Sequence, residues 1–300
     1  MNTKAGDAGV PMPESTNAKP RYSKDFWEKL FDRYYHDDII DLATKFTKNG
    51  TLKIEFADLK LVWGRIGETT TSAIEYLINN PDEVLEDANN ILHGFSLLVD
   101  RPEGWSEKAH VEISGFEPVM AVRDLGHEHL CKFVSVTGVV TRVTPFRPKI
   151  VIAAYRCLYC EYITRVPQDD EKIIEPLECE NDICGRKGPF KLLLNKSEFV
   201  DYQKIILQYP TDAKIEEVPR VRGNFTIQYY PTDDKIEVIL LNDLVTLFYP
   251  LQKVTITGIV RVRQKLKGKA KTPFLEMFIE ANHINVSKIQ DSNTVVDSHA

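Results

Sequence analysis

Cys157-Leu158-Tyr159-Cys160, then eighteen residues, then Cys179-Glu180-Asn181-Asp182-Ile183-Cys184 set the plan of this chain. The pattern is C-x2-C-x18-C-x4-C, within the range of a four-thiolate zinc site. Two residues between cysteines let one tight turn aim both sulfurs at a single ion, and a second turn completes a tetrahedron. Gly185 follows Cys184, as such turns often require. Glu161 stands in the equivalent place after Cys160, so the first turn is less ideal. Two disulfides or four unrelated core thiols fit the paired spacing less well. With four thiolates and no spare position, Cys157, Cys160, Cys179 and Cys184 predict one structural Zn2+ per chain rather than a catalytic one.

Strand-like sequence flanks this element on both sides. Upstream, Phe133 to Val143 and Lys149 to Tyr155 are rich in Val, Ile and Thr. Downstream come Tyr202–Gln208, Phe225–Tyr229, Ile236–Leu241, Val254–Arg263 and Phe274–Ile284. Strands on both sides, without alternating helices, predict a zinc-ribbon-like subdomain inserted into an OB-fold β-barrel. Cys131, the fifth cysteine, lies in an apolar run entering a strand and reads as a buried, inert thiol.

The N-terminal part is different. Residues 1–20 hold three prolines among small polar residues and read as a disordered tail. From Ser23 onward, Phe26, Trp27, Leu30, Phe31 and Tyr34 fall on one helical face. Ile39, Ile40, Ala43 and Phe46 mark a second helix, ending near Asn49-Gly50, and Leu52, Ile54 and Phe56 alternate as one short strand. Residues 70–79 read as helix. Asn80-Pro81-Asp82-Glu83 is a helix start: cap, proline at the first position, acids at the positive end of the dipole. The expected class is therefore α+β multidomain. A helical bundle spans 21–110, a discontinuous OB-fold 111–156 and 198–286, the zinc subdomain 157–197, and a linker or tail 287–300.

The 300 residues carry a net charge of −6, so a nucleic-acid site would have to be a local basic patch. One exists. Arg261, Arg263, Lys265, Lys267, Lys269 and Lys271 recur at every second position with no acid between them. Period two puts the first four on one strand face. Gly268 offers a turn and Phe274–Ile279 can return, which makes a basic β-hairpin. A solvated lysine-rich edge strand is the plainer alternative. Arg142 and Arg147, with Lys149 just beyond, close the first long strand, and Phe146 between them could stack on a base. The competing reading is ordinary surface arginines around Pro145 and Pro148.

Other clusters read as surface. His127-Glu128-His129 is not H-E-x-x-H, and residues two apart do not share a helical face. The pairs Asp37-Asp38, Asp169-Asp170, Glu216-Glu217 and Asp233-Asp234 lie in polar, loop-like surroundings, unlike general acid/base dyads. No G-x-x-x-x-G-K-[ST] phosphate loop occurs, and Lys267-Gly268-Lys269-Ala270-Lys271-Thr272 lacks the upstream glycine of one. With no long apolar run and few cysteines, the expectation is a cytoplasmic, nucleoid-associated protein without membrane contact.

Two blocks carry a family resemblance. Val122-Arg123-Asp124-Leu125 with Leu130 to Val143, and Asn242-Asp243-Leu244-Val245 with Val254 to Arg261, resemble the N-terminal region of archaeal-type minichromosome maintenance (MCM) replicative helicases. With the zinc spacing, the resemblance extends by blocks over about residues 21–286. It implies a ring, a hexamer or double hexamer, that binds single- or double-stranded DNA during replication initiation and unwinding. It also implies that the hairpin points into a central channel and that Arg142 and Arg147 match a single-strand-binding pair. In the family an ATPase follows this region, so this chain itself is expected to lack enzymatic activity. Cys131 stands where the family usually has glycine, and Ile206 where it has arginine. An inter-domain communication loop is expected within 209–235. The alternatives are a stand-alone OB-fold and zinc-ribbon protein binding single-stranded DNA, and a zinc enzyme acting on nucleic acid, which lacks a suitable H-x-E signature.

Overall fold

Aromatic residues at helical spacing nucleate the first core. The computed structural model describes residues 23–45, 50–66, 70–95, 101–102, 104–168, 172–209, 217–219, 225–227, 235–246, 248, 251–267 and 270–286. Helices α1 (Ser23–Tyr34) and α2 (His36–Thr44) lead into strand β1 (Gly50–Glu55). Helices α3 (Phe56–Ile66), α4 (Thr70–Asn79), α5 (Pro81–Gly94), the single turn α6 (Trp105–Lys108) and strand β2 (Ala109–Ser114) follow. Phe26, Trp27, Leu30 and Phe31 of α1 are all buried, as their 3.6-residue spacing requires. Phe26 stacks on Trp63 of α3 with centroids 5.2 Å apart.

Three features of this unit depart from expectation. The alternation at Leu52 and Ile54 is a strand, but Phe56 already begins α3. The strand's partner is β2, parallel and 59 residues away, pairing Thr51 with His110. Asn80 precedes α5 yet makes no side-chain cap. Its amide donates back to the Tyr76 carbonyl at the end of α4 (3.3 Å), which leaves the start of α5 to Pro81 and the first-turn acids.

The second unit contains β3 (Val119–Ala121), β4 (Phe133–Val143), β5 (Arg147–Cys157), β6 (Ile163–Pro167), β7 (Phe190–Leu192) and β8 (Glu198–Gln208). It continues with β9 (Glu217–Pro219), β10 (Phe225–Ile227), β11 (Lys235–Leu241), β12 (Lys253–Lys267) and β13 (Ala270–Val286). Five of these strands close a ring in the order β4-β8-β11-β13-β12-β4. All contacts around the ring are antiparallel except β11 with β13, which is parallel. Five strands closed in this order form an OB-type barrel. Strands β5, β6 and β7 are inserted between its first and second strands, and β9 pairs with β10 apart from the main sheet.

Period-two burial fills the barrel. Val134, Val136 and Val140 of β4 meet Ile205 and Leu207 of β8, Val238 and Leu240 of β11, and Val254, Ile256 and Val260 of β12. The two units share a seam. Phe56 packs on Phe116 (4.7 Å between centroids), Phe116 packs on Phe133 of β4 (5.0 Å), and Phe133 and Ile259 belong to the first core.

Candidate metal centre and nucleic-acid interface

Strand β5 runs out of the barrel and ends at Cys157, so the sheet itself aims the first ligand. Strand β7 pairs back across it, Cys157 with Phe190. The four sulfurs of Cys157, Cys160, Cys179 and Cys184 all lie within 4.8 Å of one another. Cys160 to Cys179 is 3.5 Å and Cys157 to Cys184 is 3.9 Å. With metal–sulfur bonds near 2.3 Å, a tetrahedral zinc site has sulfur–sulfur edges of about 3.8 Å. A disulfide would need about 2.05 Å, so none is formed.

The two turns repeat one design. Each sulfur accepts the backbone N–H of the residue two further on: Tyr159, Tyr162, Asn181 and Arg186. Donors of this kind favour thiolate, and the N–H groups of Cys160 and Tyr159 pull the Cys157 thiol down to about 7. Glu161 (φ +62°) and Gly185 (φ +51°) both adopt the left-handed conformation after the second cysteine of their turns. That is why glycine suits Gly185, and why Glu161 is the costlier of the two. Arg186 lies over the Tyr159 ring at 4.2 Å and ties one turn to the other. The cluster can hold one metal ion, and its all-sulfur donor set leaves no open position.

The basic run forms a long antiparallel hairpin. β12 pairs with β13 from Val254↔Val286 to the closing pair Lys267↔Ala270. The backbones of Lys265, Lys267 and Lys271 belong to its strands, whereas Lys269 lies outside the described residues. A register shift falls between Gln264↔Leu275 and Leu266↔Lys271, with extra residues on β13 around Pro273. Proline has no N–H for the ladder, so pairing slips there.

Arg261 and Arg263, at the hairpin base, are engaged by acids that the linear sequence keeps far away. Arg261 donates from Nη1 and Nη2 to both oxygens of Asp82 (2.7 and 2.5 Å) and from Nε to Glu280 (2.9 Å). The Arg261 guanidinium holds the Asp82 carboxyl below the usual carboxylate range. Arg263 reaches Glu237 (2.6 Å) and Glu276 (3.3 Å). The base of the hairpin is therefore not a bare cationic stripe.

Arg142 and Arg147 are both exposed and have no ion-pair partner among the described residues. Phe146 between them is 60% exposed. Lys149 stands next to Tyr202, its Nζ 5.6 Å from the ring centroid. The pairing Arg147↔Tyr202 places Arg147, Lys149 and Tyr202 on one face.

Cys131 is exposed, not buried, with φ +59°. Its N–H bonds to Val260 O (2.8 Å) in the turn that delivers β4. At a left-handed turn position like this, glycine would be the less costly residue. His127-Glu128-His129 forms a surface turn, and among the described residues the four cysteines are the group able to hold a metal. Of the expected communication loop, residues 217–219 and 225–227 are described and the rest of 210–234 lies outside the description. The ion-pair partners of the hairpin base were missed from the sequence. Asp82 is legible there only as a helix-start acid.

Residues 121–264 match the family model described as the MCM OB domain. The chain is also similar to MCM proteins outside that stretch. It is 29% identical over 220 residues to "Minichromosome maintenance protein MCM" of Saccharolobus solfataricus, covering 71% of this chain and 30% of that protein. It is 29% identical over 294 residues to human "DNA helicase MCM8", covering 90% and 33%. The chain thus spans about a third of the length of these two relatives. The crystal structure of "the N-terminal Domain of an Archaeal MCM" superposes with a TM-score of 0.65 at 24% identity, over 88% of this chain and 98% of that one. That likeness establishes the fold. The matched stretch takes in β4 to β11 and most of β12, with the cysteine element inserted in it. Among the described residues, no helix is long and apolar enough to cross a membrane.

Proposed function

We propose that this chain is the DNA-binding and ring-organising N-terminal region of an MCM replicative helicase. The observation that carries the proposal is the β12–β13 hairpin, whose lysine-bearing end projects from a barrel that matches the MCM OB domain. Lys265, Lys267, Lys269 and Lys271 are proposed to meet phosphates in a central channel, without sequence preference. Arg142, Arg147 and Lys149 form the second contact, on the barrel. Arg261 and Arg263 are held by carboxylates in the free chain, so their phosphate contacts require that those ion pairs open.

In the same proposal residues 21–110 act as a helical domain, 111–156 with 198–286 as the OB-fold, and 157–197 as a zinc subdomain. Zinc is the metal that best fits four thiolates at this spacing. Leu177 and Ile183, in the cysteine element, are 90% and 98% exposed. Apolar side chains so placed support end-to-end contact between two rings. Lacking a phosphate-binding loop, the chain binds DNA but hydrolyses no ATP. The stand-alone single-strand binder is the second reading, and the similarity to MCM proteins along most of the chain disfavours it.

Native mass measured with and without a labelled oligonucleotide tests the proposal. Assembly into a hexamer or higher ring, promoted by DNA, is expected. A strict monomer at high concentration, even with DNA bound, would return the case to the stand-alone binder.

A further inference from the structure

Arg261 makes three charge-assisted hydrogen bonds, and the two to Asp82 join two units of the fold. Asp82 lies in the first turn of α5 and Glu280 lies on β13. Asp82 and Arg261 are 179 residues apart in the chain. The Asp82 carboxylate grips the guanidinium through both oxygens, the same two-pronged geometry in which arginine grips phosphate. The pair is accessible: the Arg261 side chain is 26% exposed and that of Asp82 is 62% exposed.

We propose that Asp82 is a built-in competitor for phosphate at Arg261, so that docking of the helical unit on the hairpin base and binding of nucleic acid there oppose each other. This rests on the nucleic-acid reading of the hairpin. The chemistry is an exchange of anions on one cation. Glu280 is on the hairpin's own strand and stays with Arg261, holding its Nε edge. The Nη edge faces Asp82, and a phosphate that approaches along the hairpin presents two oxygens to that same edge. Only one anion fits the fork at a time. By linkage, whatever Asp82 costs DNA binding, bound DNA costs the contact between α5 and β12 by the same factor. Couplings of this kind commonly fall between about 5- and 150-fold.

Asp82→Asn keeps the shape and removes the charge. Titration of a fluorescent oligothymidylate, followed by anisotropy, is expected to give at least about fivefold tighter binding than the unaltered chain. Log affinity against log salt is expected to steepen by about 0.7, one more phosphate contact on a single strand. Asp82→Ser, which suits a helix start, is expected to repeat the result if the asparagine variant is poorly folded. The deciding arm places the same change in an Arg261→Gln background. There the gain is expected to vanish, because the freed fork is gone. If the gain persists without Arg261, the effect is the mere loss of a negative charge and the inference is overturned. Binding by the unaltered chain with no change on Asp82→Asn also overturns it, and leaves the nucleic-acid reading intact. Absence of binding by every variant, the unaltered chain included, overturns the nucleic-acid reading and this inference with it.

Discussion

Nδ1 of His283, on β13 of the barrel, lies 2.9 Å from Oε2 of Glu112 on β2 of the helical unit, and both side chains are buried. The adjacent Asn282 accepts from Ile113 N (2.8 Å) and donates to Val111 O (3.0 Å). Its amide thus does what a neighbouring strand would do along the free edge of β2. Two consecutive side chains on the barrel's last strand recognise the helical unit, one through its backbone and one through its acid.

Glu112→Ala is accordingly expected to destabilise the chain by about 3 kcal/mol, since it strands a buried polar group that was paired. Glu112→Gln keeps an acceptor for His283 and is expected to cost less. Urea denaturation at neutral pH measures both. Equal midpoints for the alanine variant and the unaltered chain would show that the pair adds nothing to the seam.

Gly258 sits at a close backbone approach in the barrel. A Cβ built there would sit 2.2 Å from the Glu280 carbonyl oxygen and 3.0 Å from Ala281 Cα. The register of β12 against β13 shifts at this point, between Thr257 and Gly258. Both clashes are with backbone, which cannot rotate away. Gly258→Ala is expected to cost roughly 1–3 kcal/mol or more in a thermal melt. Gly94, whose Cβ would meet nothing within 4 Å, is the control and should tolerate alanine.

The metal centre predicts one zinc per chain by elemental analysis of freshly purified protein. A structural site of this type contributes on the order of 10 kcal/mol to local folding. Chelation is therefore expected to unfold residues 157–184 while the helical unit keeps its circular dichroism. Cys179→Ser should lose the metal outright, because Cys179 is a buried ligand. Metal content near zero with a folded cysteine element would refute the assignment.

Changing both Lys267 and Lys269 to alanine is expected to weaken binding to all DNA sequences alike. It should also flatten the salt dependence by about 0.7 per lost contact on single strands. Thermal stability should stay close to that of the unaltered chain. Arg142→Ala with Arg147→Ala is expected to weaken single-strand binding in particular, since Phe146 between them offers an aromatic face to an unpaired base. Unchanged affinity and slope in the lysine variant would leave the hairpin as an ordinary solvated edge.

Much of the chain was legible because the relevant signals are local. Strand β4 falls on Phe133–Val143 as its Val and Thr content indicated, and α5 begins at Pro81 as its proline and acids indicated. Helix α3 was missed because Leu52, Ile54 and Phe56 continue one alternation while the chain changes conformation at Phe56. Strand β2 was missed because a six-residue strand is supported by its partner, and that partner is 59 residues upstream. Cys131 misled because an apolar run entering a strand does not reveal that the residue before it turns left-handed and faces water.

The sequence by itself determined the four-cysteine cluster able to hold a metal, most of the barrel strands and the hairpin. Each is written in spacing: two residues within a cysteine turn, a period of two along a strand, a glycine at a tip. Tertiary structure alone decided what the charges do. Six basic residues stand in a row with no acid between them, yet Asp82, Glu237, Glu276 and Glu280 converge on the first two once the chain folds. Ion-pair partners depend on which elements cross in space. The parallel contact of β11 with β13 and the docking of α5 beside β12 fix those crossings, and no local spacing encodes either one.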